Sequence, residues 1–162
     1  MRQQQNPKKQ QSSPDDLRTP QNKYLALVFI FLASFGFADA LYLTIQHFQN
    51  TLVPCSLVHG CEAVLRSSYA TVGDIPVAAL GVFYYGAVAL SMIAFLVLQK
   101  RIFLWLGMSF PILGFFATVW FLYVQAFLLN AFCLYCLASA GITILLFFLS
   151  SWYLYKNTRA HG

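Results

Sequence analysis

The chain has 162 residues, 59% of them hydrophobic and only 9% charged. Soluble domains carry nearer a quarter charged residues, so this composition excludes an ordinary water-soluble fold. The net charge of +5 invites a nucleic-acid partner, but the basic residues sit at the ends of long apolar runs, which argues against one.

Residues 1–22 are rich in Gln, Ser, Pro and charge and read as a disordered cytoplasmic tail whose Lys and Arg act as a topology determinant, with contact to anionic lipid as the lesser alternative. A bilayer crossing needs about 20 apolar residues. The run Tyr24–Ile45 meets that length and is broken only by Asp39. An acid inside a span is costly, which makes Asp39 a functional candidate; the alternative is a packing residue facing the bundle interior. Ala38-Asp39-Ala40 imitates a signal-peptide cleavage site, but the apolar run continues past it to Ile45.

Residues 46–74 form the one substantial segment between spans. Val53-Pro54 leads to Cys55 in extended form, and five residues separate Cys55 from Cys61. A short helix is expected from Cys61 to Tyr69, with Val64, Leu65 and Tyr69 on one side and Glu62 and Arg66 as an i,i+4 pair. Lying in the interface, it would cover the mouth of a bundle. His47 and His59 read as solvated loop histidines. Gly73-Asp74-Ile75-Pro76 breaks the chain, with Pro76 acceptable in the first turn of the next helix.

The second span is Ile75–Leu98 and the third Ile102–Leu129, where Pro111 should introduce a kink. The fourth is Phe132–Tyr155, followed by a tail at 157–162. Gly81, Gly86, Gly107, Gly114 and Gly141 suit close helix contact in lipid. These elements predict an all-α integral membrane protein. Its four transmembrane helices form a bundle, with an extracytoplasmic cap loop and short helix between the first two.

Nine of the ten Lys and Arg residues fall before span one, between spans two and three (Lys100, Arg101), or after span four (Lys156, Arg159). Four crossings place all three patches on one side, which the positive-inside rule makes cytoplasmic. All four cysteines then fall on or near the other side. In a bacterial inner membrane that side is the oxidising periplasm.

Cys133-Leu134-Tyr135-Cys136 opens the fourth span. Residues i and i+3 share a helical face, and a helix N-terminus favours the thiolate that attacks disulfides. A fixed pair near a helix end and a mobile pair, Cys55 and Cys61, on a loop form the parts of a disulfide relay. Two rival readings are permanent loop staples and a zinc site. A two-residue loop is poor material for a staple, and zinc sites pair short-spaced ligand sets on soluble folds, so no metal is expected. A tetraspan scaffold with structural disulfides is the corresponding non-enzymatic alternative. Tyr84, Tyr85, Trp120, Tyr123 and Tyr135 are candidates to line a pocket for a ring.

The order of motifs resembles the vitamin K epoxide reductase (VKOR) family, especially its bacterial members. The matching pieces are Tyr42-Leu43-Thr44, Cys55 and Cys61 with Val64 and Ser67, Gly73 with Pro76 and Gly81, and Phe132-Cys133-Leu134-Tyr135-Cys136. The resemblance implies a four-helix bundle around a quinone, ubiquinone or menaquinone. It implies that Cys136 acts on the quinone and that Cys133 accepts attack from Cys61, the shuttle. Cys55 would meet a separate periplasmic thioredoxin-fold partner of the DsbA type, since this sequence ends at Gly162 without a fused thioredoxin-like domain. Ser67 is the implied cap serine; Tyr135, beside the cysteines in sequence, and Asp39, inside span one, complete the candidate cap and quinone-site residues on position rather than on the resemblance. Vertebrate members carry a Tyr one turn after the second C-x-x-C cysteine, where this chain has Ala140. That departure favours quinone reduction over vitamin K epoxide reduction. DsbB-type enzymes do the same chemistry with the two pairs in the opposite order.

Overall fold

The computed structural model describes residues 20–49, 61–73 and 75–160, apart from the side chains of Glu62, Thr158 and Ala160. The expectations for residues 1–19, 50–60 (Cys55 and His59 among them), 161–162 and Asp74, and for the Glu62–Arg66 pair, lie outside the described residues.

Four helices are long and apolar enough to cross a membrane: α1 Pro20–Gln49, α3 Val77–Leu98, α4 Arg101–Tyr123 and α5 Leu134–Ala160. A short helix, α2 Cys61–Leu65, follows α1, and a two-residue hairpin, β1 Thr71–Val72 with β2 Ile75–Pro76, leads into α3. The helices form a ring in which α1 packs on α3, α3 on α4, α4 on α5, and α5 back on α1. Short joins from α3 to α4 and from α4 to α5, with the longer cap segment between α1 and α3, make this the expected up-and-down bundle.

Several boundaries differ from the sequence reading. Helix α1 starts at Pro20, inside the segment read as tail. Proline is tolerated at a first helical position, and the added turn is tied to α5: Tyr153 Oη donates to Asn22 Oδ1 at 3.1 Å and Lys156 Nζ donates to Gln21 Oε1 at 3.3 Å. Helix α5 likewise runs on to Ala160, with Arg159 over the Tyr155 ring at 4.6 Å. Ile75 and Pro76 are strand, not helix. The hairpin turns at Gly73, whose φ of +64° favours glycine. The cap helix stops at Leu65, and Tyr69 is 44% exposed rather than sharing the buried side of Val64. Pro111 sits buried inside α4 without ending it.

The bundle is filled at one end and hollow at the other. Phe29, Val88, Met92, Phe95, Leu104, Met108 and Leu146 are fully or almost fully buried at the end where Lys23, Lys100, Arg101 and Lys156 lie. Toward the α2 end, Ala40, Ala78, Gly81, Gly114, Ala117 and Ala140 face a cavity of about 400 Å³. Small residues on four neighbouring helices leave space that their own side chains do not fill. Gly141, expected at a close helix contact, makes none: it is exposed, and nothing lies within 4 Å of where its side chain would project.

The end of α4 was not foreseen. After Tyr123 the chain widens into a π-helical turn, Val124–Leu128, in which Leu129 N–H donates to Val124 O at 3.0 Å. Such turns are rare and often stand at functional sites. Here the wider turn buries two successive residues, Val124 and Gln125.

Candidate active site

The hollow end is built around α5's first turn. Leu137 N–H donates to Cys133 O at 2.9 Å, so Cys133 is the residue that caps the helix N-terminus. Its sulfur does what a serine oxygen usually does there, accepting from Cys136 N–H at 3.4 Å. Cys133 and Cys136 are both free thiols, and Cys133 is fully buried. The Cys136 thiol donates to the Cys133 sulfur. That bond, with help from the backbone N–H groups of Cys136 and Tyr135, outweighs burial and the Asp39 charge and lowers the Cys133 thiol to about 7.

The sign of that shift gives a direct expectation. A lowered thiol is protonated and unreactive below its midpoint and thiolate above it. Ultraviolet thiolate absorbance of the reduced protein is therefore expected to rise between about pH 6 and pH 8, with a midpoint near 7. A first thiolate appearing only near pH 9 would contradict the assignment.

Cys61 opens α2, is disulfide-bonded, and is 1% exposed. It forms one buried cluster with Val64 and Cys133, against which Leu65, Leu129, Tyr135 and Cys136 pack. The cap thus brings Cys61 to the C-x-x-C pair. Tyr135 serves this cluster and not the cavity wall, and its ring meets Tyr42 of α1 at 5.4 Å. Ser67 lines the cavity and its hydroxyl donates to Val64 O at 2.7 Å, closing the end of the cap helix; Ser68 is exposed.

The cavity runs inward from Cys136. Its walls are mostly apolar, and its polar groups are few. Tyr85 is 2% exposed, and its hydroxyl donates to Ser139 O at 2.9 Å. The same oxygen lies 2.7 Å from Ser139 Oγ and 2.9 Å from Thr143 Oγ1, either of which can donate to it. Gly36 makes room for this ring, since any side chain there would run into it. Tyr84 Oη lies near Thr143 but meets no partner at hydrogen-bonding geometry, and Asp39 Oδ2 is buried with none either.

Two buried groups without a partner in a mostly apolar cavity are unusual, because each costs about 1–3 kcal/mol unless something satisfies it. A ring bearing polar oxygens is the kind of ligand that such groups can satisfy. The volume also falls in the roughly 300–1,000 Å³ range of small-molecule sites. The residues present therefore fit a quinone.

Of the aromatic candidates, Tyr84 and Tyr85 line the cavity; Trp120 and Tyr123 are 55% and 49% exposed and stack outward, and Phe121 lines it instead. His47, read as a loop histidine, lies in the last turn of α1 and lines the cavity. Ser139, Thr143 and Gln125 were missed. Each is a hydrogen-bonding side chain in an apolar run, and that contrast was the available signal.

A family model described as the vitamin K epoxide reductase family matches residues 27–151, most of the chain. No curated protein matches it.

Proposed function

The chain belongs to the vitamin K epoxide reductase family, and from that premise we propose that it re-oxidises a thioredoxin-fold disulfide donor by passing electrons through two cysteine pairs to a quinone. Membership makes it an integral membrane thiol–disulfide oxidoreductase. One observation carries the finer reading. A free thiol pair caps a membrane helix, with a disulfide-bonded cysteine packed on one sulfur and an apolar cavity opening from the other.

The chemistry balances as three exchanges. The donor's dithiol gives two electrons and two protons to the Cys55–Cys61 disulfide and becomes a disulfide itself. The Cys61 thiolate then attacks Cys133 of an oxidised Cys133–Cys136 pair, and Cys136 departs as a thiol. Cys55 attacks Cys61 of the mixed disulfide, which restores the loop disulfide and frees Cys133. A bonded Cys61 beside two free thiols corresponds to the stage after that step.

When bound, a quinone supplies an acceptor for two electrons and two protons. Cys136 opens onto the space it would fill, and the lowered Cys133 thiol is ready to close the disulfide as Cys136 gives up its electrons. Tyr84 would donate its unpartnered hydroxyl to a ring oxygen. Asp39 would hold or move a proton at its unpartnered carboxyl oxygen. The Tyr85–Ser139–Thr143 hydroxyls fix the inner wall, while Ser67 and Tyr135 hold the cap. Ala140 lines the cavity without a hydroxyl, which supports quinone reduction over epoxide reduction.

The cysteine end is read as periplasmic in a bacterial inner membrane. Lys23, Lys100, Arg101, Lys156 and Arg159 all lie at the opposite end. In mild detergent, the reduced protein is expected to convert short-chain ubiquinone or menaquinone analogues to quinols, one protein disulfide forming per quinol. Full reduction of Cys133 and Cys136 with no quinol formed would overturn the reading.

A further inference from the structure

Helix N-termini are commonly closed by two reciprocal bonds. The capping side chain accepts from the N–H three residues on, and a Glu or Gln at that third position reaches back to the cap's own N–H. Helix α5 has the first bond in sulfur form, Cys136 N–H to Cys133 Sγ. It cannot make the second from within, because its third position is Cys136 itself, and that side chain is committed to redox chemistry.

The missing bond arrives from another helix. Gln125 Oε1 accepts from Cys133 N–H at 3.0 Å. Its backbone carbonyl also accepts from Ala131 N–H at 3.2 Å, across a turn in which Asn130 takes φ +47°. Gln125 is 3% exposed, and it occupies the π-helical turn Val124–Leu128. The wider turn buries Gln125 beside Val124 and so sets an amide inside the apolar bundle. One residue therefore holds both: its backbone carbonyl the loop into α5, its side chain the residue that caps it.

We propose that Gln125 is a positioning residue that completes, from the end of α4, the capping box around Cys133 and thereby holds the reactive sulfur on the α5 N-terminus. This rests on the thiol–quinone reading for the purpose it serves but not for its geometry. A cysteine held there keeps its sulfur aligned with the helix N–H groups and the helix dipole, both of which favour thiolate. Released, Cys133 loses that alignment and leaves a buried N–H unpaired. The titratable groups facing Cys133 are Cys136 on its own helix, Asp39 on α1, and Tyr135; Cys61 approaches from the cap as a disulfide.

The test is the thiolate midpoint of Cys133, read by ultraviolet absorbance in the reduced, detergent-solubilised full chain. Gln125→Leu keeps the bulk and removes the acceptor. It is expected to raise the midpoint by roughly one pH unit and to slow thiol exchange at pH 7 by up to about tenfold. A residue that only fills space would leave the midpoint near 7, and that result in a folded Gln125→Leu protein would overturn the proposal.

Should Gln125→Leu fail to fold, a shorter amide serves instead. A second variant, Gln125→Asn, adds no charge and is one methylene shorter, so its amide no longer reaches Cys133 N–H; it is expected to fold and to raise the midpoint, and an unchanged midpoint would again overturn the proposal. Neither readout involves a quinone or a partner. Failure of quinone reduction with a shifted midpoint would sink the functional reading and leave Gln125's role standing.

Discussion

Replacing Cys133 with serine is expected to stop turnover, by roughly a thousandfold or more, while leaving the fold intact. The fold survives because serine is a preferred N-cap: its Oγ can accept from Cys136 N–H as the sulfur does, and Gln125 still holds the backbone of residue 133. Chemistry fails because a hydroxyl forms no disulfide. Electrons reaching the loop pair then have nowhere to go, and Cys136 cannot form an internal disulfide. The expected observation is a protein with a wild-type melting temperature, a reducible loop pair and no quinol. Undiminished turnover would remove Cys133 from the pathway.

The companion change, Cys136→Ser, separates the two thiols by role. With its resolving partner gone, Cys133 has one sulfur within reach of the cap, that of Cys61 in the same buried cluster. A Cys61–Cys133 bridge is therefore expected to accumulate after mild oxidation and to appear on non-reducing peptide mapping. Burial of both sulfurs, at 1% and 0% exposure, protects such a bridge from external thiols. A Cys136→Ser protein that yields no such bridge would rule out Cys61 as the shuttle.

The crossings and the C-x-x-C at the head of the fourth helix were legible in the sequence because both are one-dimensional signals: apolar length and a fixed spacing. Which side of each helix faces the cavity was not. In a lipid-embedded bundle the outward and inward faces are both apolar, so periodicity does not separate them. Trp120 and Tyr123 were candidates for the interior on chemical grounds and point outward, while Phe121 points in. His47 looked like a loop residue because apolar run length ends near Ile45, whereas α1 continues to Gln49. The π-helical turn has no compositional mark. Only the polarity of Gln125 in an apolar stretch hinted that something there needed a partner.

Substituting Gly114 with leucine is expected to divide the reaction in half. The first side-chain carbon at this position on α4 would lie 2.5 Å from Tyr84 Oη and 2.6 Å from the ring carbon bearing it, both closer than van der Waals contact allows. The larger side chain must displace Tyr84 or enter the cavity, and either outcome takes an unpartnered hydroxyl off the inner wall. Overpacking of this kind costs about 1–3 kcal/mol of stability. A displacement of about 1 Å at a reacting site can cost a hundredfold in rate, so quinol formation should fall by roughly ten- to a hundredfold. The cysteine cluster is lined by α2, α5 and the loop before α5, not by Gly114, so exchange between the loop pair and Cys133–Cys136 should keep its rate. Electrons then pile up on Cys133 and Cys136, and the steady-state fraction of reduced C-x-x-C rises. Gly141→Ala, with nothing within 4 Å of the added carbon, is the matched control and should leave both half-reactions alone. If Gly114→Leu slowed the two halves equally, the damage would be to the bundle as a whole, and the cavity would lose its claim to be where the acceptor binds.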